Sequence, residues 1–232
     1  MIKMVVFDMA GTTVNENNVV YKTLQKAINE KGFNLSIEQV LLEGAGKEKL
    51  QAIKSILKVY AKIDDNNLAG TIYQRFIVLL AKAYDALEIS PQENAEELFK
   101  ELKQRKIFVV LNTGYNTKTA QSLLTKLRWQ KGSEFDLLVT ANDVAETRPK
   151  PAMILLAMKK SGISNAAEVV KVGDSIIDIE EGKNAGCRFN IGITSGAHTR
   201  KQLESATPDY IIDNLLELLP LLDKENKKAS VF

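Results

Sequence analysis

The sequence predicts an α/β protein: an open parallel sheet with helices on both faces, into which an all-helical domain is inserted. Three observations carry that prediction. A short apolar run, Val5-Val6-Phe7, ends in Asp8 with Gly11 close behind, as a buried strand followed by a turn would. Residues 19–87 then show helical spacing and no strand pattern. From Ile107 onward, apolar strands alternate with helices, the pattern of a parallel sheet.

Composition agrees. Of 232 residues, 45% are hydrophobic and 26% charged, which suits one sizeable core with an insert. The same figures exclude a disordered, collagen-like or disulfide-built chain. A net charge of +2 shows no bias toward polyanions, so no nucleic-acid partner is expected. Cys187 is the single cysteine, which rules out an intrachain disulfide and fits a reducing cytoplasm. The N-terminal apolar run is too short for a signal peptide, and no stretch approaches the about 20 residues of a membrane span. A cytoplasmic protein with no membrane partner is expected.

The elements follow in order. Tyr21, Leu24 and Ile28 lie on one helix face, and Gly32 reads as its stop. Ser36 with Gln39 makes a capping box for a second helix, which Gly44-Ala45-Gly46 interrupts. Leu50, Ile53, Leu57 and Tyr60 resume the helical spacing, and after the polar break at Asp64-Asp65-Asn66-Asn67 a stripe runs from Leu68 to Leu87. That stripe reads as core of the insert. Ser90-Pro91-Gln92-Glu93 reads as a helix start, with Ser as N-cap, Pro at the first helical position and Glu completing a capping box. Strands are expected over 107–111, 135–140, 169–172, 188–193 and 210–212. Helices are expected over 116–127, 151–160, 176–185 and 215–222. The division is a Rossmann-like core of 1–15 and 89–232 and a helical domain of 16–88.

In such sheets ligands bind beyond the carboxyl ends of the strands, so the residues there are the ones to read. Asp8-Met9-Ala10-Gly11-Thr12-Thr13 follows the first strand, and Asn112-Thr113-Gly114 follows the second. Gly173-Asp174-Ser175-Ile176-Ile177-Asp178 follows a later strand, and Arg148-Pro149-Lys150-Pro151 opens a helix. Carboxylates, a hydroxyl and a cation thus converge on one edge. A hard divalent cation takes carboxylate and carbonyl oxygens, and would offset the repulsion between Asp8 and Asp174. A carboxylate can also attack phosphorus without a base, since its ordinary pKa is about 3.9. Thr113 and backbone N–H groups after Gly11 could bind the phosphoryl oxygens, and Arg148 or Lys150 could neutralise developing charge. Taken singly, each of these segments is an ordinary loop, turn or helix opening. Their joint placement in one order is what points to Mg²⁺-dependent phosphoryl transfer.

These segments resemble the four motifs of the haloacid dehalogenase superfamily, and the helical insert resembles that of its members with a helical cap. The resemblance spans about Ile2 to Leu222. It implies Asp8 as nucleophile and a Mg²⁺ ion bound by Asp8, the Ala10 carbonyl and Asp174, with Asp178 in support. It places phosphate binding at Gly11, Thr12, Thr113, Gly114 and Arg148, leaving Lys150 a bystander.

Phosphatases of that superfamily carry a second Asp two residues after the nucleophile, as general acid and base. Here that residue is Ala10, and losing a positioned acid typically costs 10²–10⁴-fold. Phe7-Asp8-Met9-Ala10-Gly11-Thr12-Thr13-Val14, with Thr113-Gly114-Tyr115 and Arg148, is most similar to the phosphonoacetaldehyde hydrolase branch, which also has Ala there. In that branch a cap lysine forms a Schiff base with the aldehyde before the C–P bond breaks. Gly46 and Lys49 reproduce its spacing, although a lysine in a polar run such as Lys47-Glu48-Lys49 is ordinarily solvated. Two positions depart from the branch: Ala45 stands in place of its Met, and Ala52 in place of its His.

The expected function is a hydrolase acting through an aspartyl-phosphate on a small phosphonate or phosphate. Two alternatives stay open: a phosphomonoesterase with a good leaving group, and a non-catalytic sensor of a phosphorylated metabolite. The resemblance also implies a homodimer through the cap. Outside the motifs, His198 is expected in a solvent-exposed loop, Trp129 in packing, and Cys187 as a small buried residue.

Overall fold

The computed structural model describes residues 1–86 and 89–229. Leu87, the expected end of the helical stripe, and Glu88, the expected end of the insert, lie outside the described residues. The chain begins with β1 (Met4–Phe7) and β2 (Val14–Asn15), then passes through α1 (Val19–Asn29), α2 (Ile37–Gly44), α3 (Lys49–Ile56) and α4 (Asn66–Ala86). It returns by β3 (Ser90–Pro91) to α5 (Ala95–Gln104), β4 (Phe108–Thr113), α6 (Thr117–Leu127) and β5 (Leu137–Thr140). It ends with α7 (Ala152–Ser161), β6 (Val169–Gly173), α8 (Ile176–Ala185), β7 (Phe189–Ile193), α9 (Arg200–Ser205), β8 (Tyr210–Ile212) and α10 (Leu218–Ala229).

Six strands form one parallel sheet in the order β5-β4-β1-β6-β7-β8. β1 is central because both of its faces are apolar. Met4 and Val6 face one layer with Met153 and Ile154 of α7. Val5 and Phe7 face the other, where Phe7 meets Phe99 of α5 edge to face at 5.5 Å. This is the doubly covered parallel sheet that the sequence predicts. Its carboxyl edge carries Asp8, Thr113 and Asp174.

Helices α1 to α4 form the insert, with α1 lying along α4 and Leu24, Ile28, Ile72 and Phe76 buried. The capping box of α2 is present: Ser36 Oγ accepts from the Gln39 N–H, and Gln39 Oε1 from the Ser36 N–H. A π-helical turn over Leu57–Ala61 extends α3.

The helix start expected at Ser90-Pro91 is not there. Ser90 and Pro91 pair antiparallel with Asn15 and Val14, and Gln92 N–H bonds to the Thr13 carbonyl at 2.9 Å. The two linkers between sheet and insert thus hold each other, and this long-range pairing outweighs the local capping signal. Helix α5 begins instead after Asn94. Short α9, capped by Thr199, was not foreseen. Trp129 packs edge to face on Phe99 and donates to Glu96, and Cys187 is buried, both as expected. Among the described residues, no helix is long and apolar enough to cross a membrane.

Candidate active site

Three carboxylates meet at the sheet edge. Ligand oxygens of Asp8, Asp174 and Asp178 lie within 4.8 Å of one another, all buried. The folding reasons are local. Asp8 follows β1 directly, and its N–H bonds to the Val172 carbonyl of β6. Asp174 follows β6 and accepts from the Ala197 N–H at 2.6 Å. A Cβ at Gly196 would overlap Asp174 Oδ2, so only glycine lets that loop come so close. Asp178 stands in the first turn of α8, where Ser175 Oγ donates to it at 2.5 Å.

Arg148 binds this cluster from the other side. Its Nη1 lies 2.6 Å from Asp8 Oδ1 and 3.0 Å from Asp178 Oδ1, and its Nε 2.9 Å from Glu181 Oε2. Its Nη2 donates to the Asn112 carbonyl at 2.7 Å and to the Asn112 side chain. Lys150 is exposed, so Arg148 is the cation at this edge. Lys171, wholly buried on β6, adds a second positive charge, 2.9 Å from Asp178 and 3.3 Å from Glu181. Sequence reading missed Lys171 and Glu181. The one available signal was a lysine inside the apolar run Val169-Val170-Lys171-Val172.

The electrostatics separate the three acids. Burial pushes Asp174 well above the usual carboxylate range, and Asp8 and Asp178 push it further. Burial also raises Asp8, against the pull of Arg148. Asp178 goes the other way, because Arg148 and Lys171 together outweigh its burial. Asp174 is therefore the acid whose ionisation lacks a cation to support it. An all-oxygen set in which one carboxylate needs added positive charge to ionise suits a hard divalent cation such as Mg²⁺.

The turn after β1 departs from one expectation. The N–H groups of Gly11 and Thr12 are taken up inside the turn, by Val14 and Met9 carbonyls. They are not free to bind an anion, because the turn needs them to close. The Thr12 hydroxyl is buried without a partner and is the polar atom left over. Thr113 is buried with its Oγ1 accepting the Tyr115 N–H at 3.2 Å.

The helical insert closes directly on this edge. A Cβ at Gly114 would stand 2.9 Å from the Gly46 carbonyl, and one at Gly46 only 2.5 Å from Ser175 Oγ. Gly46 also has φ +74°, which favours glycine. That loop delivers Lys49, which is buried and not solvated. Its Nζ lies 4.9 Å from the Tyr21 ring centroid and 5.2 Å from that of Tyr115, and donates to the Lys47 carbonyl at 2.8 Å. Burial brings its pKa down to about 8, against the opposing pull of Asp8 and Glu16.

His198 corrects a further expectation. It is buried, with its ring held between the start of α8 and α2 of the insert. Nδ1 accepts the Ile176 N–H at 3.0 Å, which leaves Nε2 to donate to the Leu41 carbonyl of α2 at 3.3 Å. Glu16 was not singled out from the sequence either. Its carboxyl is buried beside Tyr84 and Tyr115, with burial raising its pKa to about 7.

Comparison with known proteins agrees with this geometry. The family described as haloacid dehalogenase-like hydrolase matches residues 5–191. A phosphonoacetaldehyde hydrolase of Latilactobacillus sakei is 28% identical, covering 96% of each chain. A pyrophosphatase of Bacillus mycoides is also 28% identical, covering 97% of this chain and 99% of its own. A crystal structure of a phosphonoacetaldehyde hydrolase-like protein from Oleispira antarctica shares the fold. It has a TM-score of 0.84 at 20% identity and covers 98% of this chain and 93% of its own.

Proposed function

Since the chain belongs to the haloacid dehalogenase-like hydrolase family, we propose that it is a Mg²⁺-dependent, phosphonatase-like member that cleaves the C–P bond of a small carbonyl-bearing phosphonate. The observation that carries this reading is Lys49. Its amine is buried between two tyrosine rings, with Asp8 and Arg148 among the charges that face it. With a pKa of about 8, roughly a tenth of it is neutral at pH 7, enough to attack a carbonyl.

Asp8 is the nucleophile and becomes the aspartyl-phosphate. Arg148 favours its ionised form against burial, aims it, and neutralises charge as the oxygen bonds to phosphorus. As the C–P bond breaks, its electrons pass into the Lys49 imine and leave as an enamine. No acid is needed at position 10, which accounts for Ala10. Thr12 and Thr113 offer hydroxyls to the phosphoryl group, and Gly114 lets the cap loop sit against it. Asp8, Asp174, Asp178 and the Ala10 carbonyl would hold Mg²⁺, which when bound supplies positive charge to the phosphoryl oxygens. The paired linkers β2 and β3 support a core of 1–15 and 89–232 with a cap of 16–88 that excludes water and sets substrate choice.

The test is a panel of phosphonoacetaldehyde, pyrophosphate and phosphate monoesters with Mg²⁺, with borohydride added to trap an imine. Faster phosphate release from the phosphonate, and a reduced adduct on Lys49, are expected. A second reading rests on Ala45 and Ala52, which are smaller than the Met and His of the phosphonatase branch. It is a phosphatase whose leaving group departs unassisted, as pyrophosphate's would. Turnover of pyrophosphate or a monoester with no Lys49 adduct would replace the first reading with this one.

A further inference from the structure

A second polar cluster lies where the first linker meets the insert. Glu16 precedes α1 with its carboxyl buried. Oε2 accepts from the Tyr84 hydroxyl at 3.1 Å, while Oε1 has no partner. The Tyr115 hydroxyl faces the same carboxylate and also makes no hydrogen bond of good geometry. A buried, half-satisfied carboxyl is costly, and such groups gather at functional sites. Tyr115 also lies under the Lys49 amine, so one side chain touches both groups.

A lysine that attacks a carbonyl must first lose a proton, and the surroundings of Lys49 leave few places for it. The charges that act most strongly on Lys49 are Asp8, Glu16, Glu48 and Arg148. Asp8 is paired to Arg148 and must stay anionic to attack phosphorus. Arg148 is itself a cation. Both oxygens of Glu48 cap α3, accepting from the Leu50 N–H at 3.1 Å and the Gln51 N–H at 3.0 Å. Ala10 and Ala52 carry no acid. Glu16, by contrast, keeps a buried oxygen with no hydrogen-bond partner.

We propose that Glu16 is the proton-transfer residue that serves Lys49 and, through it, the carbonyl group of the substrate. This rests on the C–P reading above. Nζ donates to the Lys47 carbonyl rather than to Glu16, so the proton crosses by way of one bridging water: an Nζ–H bond breaks and an O–H bond forms on Glu16. The Nζ lone pair bonds to the carbonyl carbon, and the carbonyl oxygen takes the proton back from Glu16. A second amine proton then moves to Glu16 and on to the hydroxyl. The hydroxyl leaves as water, and a protonated imine remains on Lys49. Tyr84 of α4 holds its carboxyl through the hydrogen bond to Oε2, and Tyr115 after β4 and Tyr21 of α1 also face it. With Glu16 near 7 and Lys49 near 8, the transfer is close to level in energy.

Glu16→Gln tests this with two readouts. The first is the rate at which acetic anhydride modifies Lys49, read by mass spectrometry against an exposed lysine. Removing the carboxylate charge lowers the Lys49 pKa, so labelling at pH 7 rises by about threefold or more. The second is phosphonoacetaldehyde turnover, which falls by about 10²-fold because the carbonyl oxygen has lost its acid. Opposite movements support the proposal. Both rates falling together, which loss of structure would produce, or labelling that does not rise, or unchanged turnover, overturns it. If the wild type neither turns over nor traps phosphonoacetaldehyde, the C–P reading fails by itself. Labelling then decides whether Glu16 governs the Lys49 proton.

Discussion

Arg148 Nη1 stands 2.6 Å from Asp8 Oδ1, with the guanidinium almost wholly buried. The same group holds Asp178 and Glu181, so one arginine neutralises charge on three acids from two elements. Burial works against its charge, yet these acids raise its pKa above the ordinary arginine value. It is a structural keystone as well as a phosphate ligand in the proposed reaction.

Arg148→Ala should therefore lose stability as well as turnover. Removing one partner of a buried ion pair typically costs about 3–5 kcal/mol. Urea denaturation of the metal-free protein is the check. Arg148→Lys should recover part of the stability but little activity, because an ammonium cannot reach three acids as the planar fork does. An alanine variant as stable as wild type would show that Lys171 alone balances the cluster.

Asp8→Asn separates chemistry from folding. The amide keeps the shape but cannot take phosphorus, so turnover of every substrate should vanish. Stability without metal should hold or rise, because Asp8 no longer repels Asp174 and Asp178 within 4.8 Å. Turnover near the wild-type rate would remove Asp8 as nucleophile.

Much of the fold was legible because strand and helix periods are local signals. The bounds read for 176–185 and 210–212 match α8 and β8, and the Ser36 capping box is where its residues place it. Ser90-Pro91 misled because its true partner, Val14-Asn15, lies more than seventy residues away. The acids at the strand ends could be read because topology brings strand ends together. Lys171, Glu181 and Glu16 could not, since their meaning comes from partners that only the folded chain supplies. His198 looked like an exposed loop residue for the same reason.

Mg²⁺ should stabilise the wild type and not Asp174→Asn. A ligand that binds only the folded state adds about 2.7 kcal/mol at a hundred times its Kd. Melting curves across a Mg²⁺ titration measure it. An equal rise in both proteins would place the ion away from Asp174.

Glu16 makes stability depend on pH, with a definite sign. Burial raises its pKa from the ordinary 4.5 to about 7, so the folded state holds the proton more tightly than the unfolded state. Its contribution is intact below pH 4.5 and declines as pH rises toward 7. The full difference corresponds to about 3 kcal/mol. Glu16→Gln should match wild type near pH 4.5 and melt higher by pH 8. Parallel melting curves for the two proteins across that range would show that the carboxyl titrates normally.

Gly46→Ala tests whether the seating of the cap loop sets activity. The added methyl would overlap Ile177 and press on Ser175, and φ +74° strains any side chain there. The sheet is untouched, and once the loop lifts off Ser175 and Ile177 the metal site should persist, with Mg²⁺ still raising the melting temperature. The loop must lift, however, and Lys49 moves with it, since it begins α3 three residues later. Solvent reaching the amine restores an ordinary lysine pKa, so less of it is neutral at pH 7. The kcat for a carbonyl phosphonate should fall by at least about tenfold, since small misplacements of a reacting group cost that much or more. A variant that keeps kcat and raises only KM would mean that the loop admits substrate without positioning the lysine.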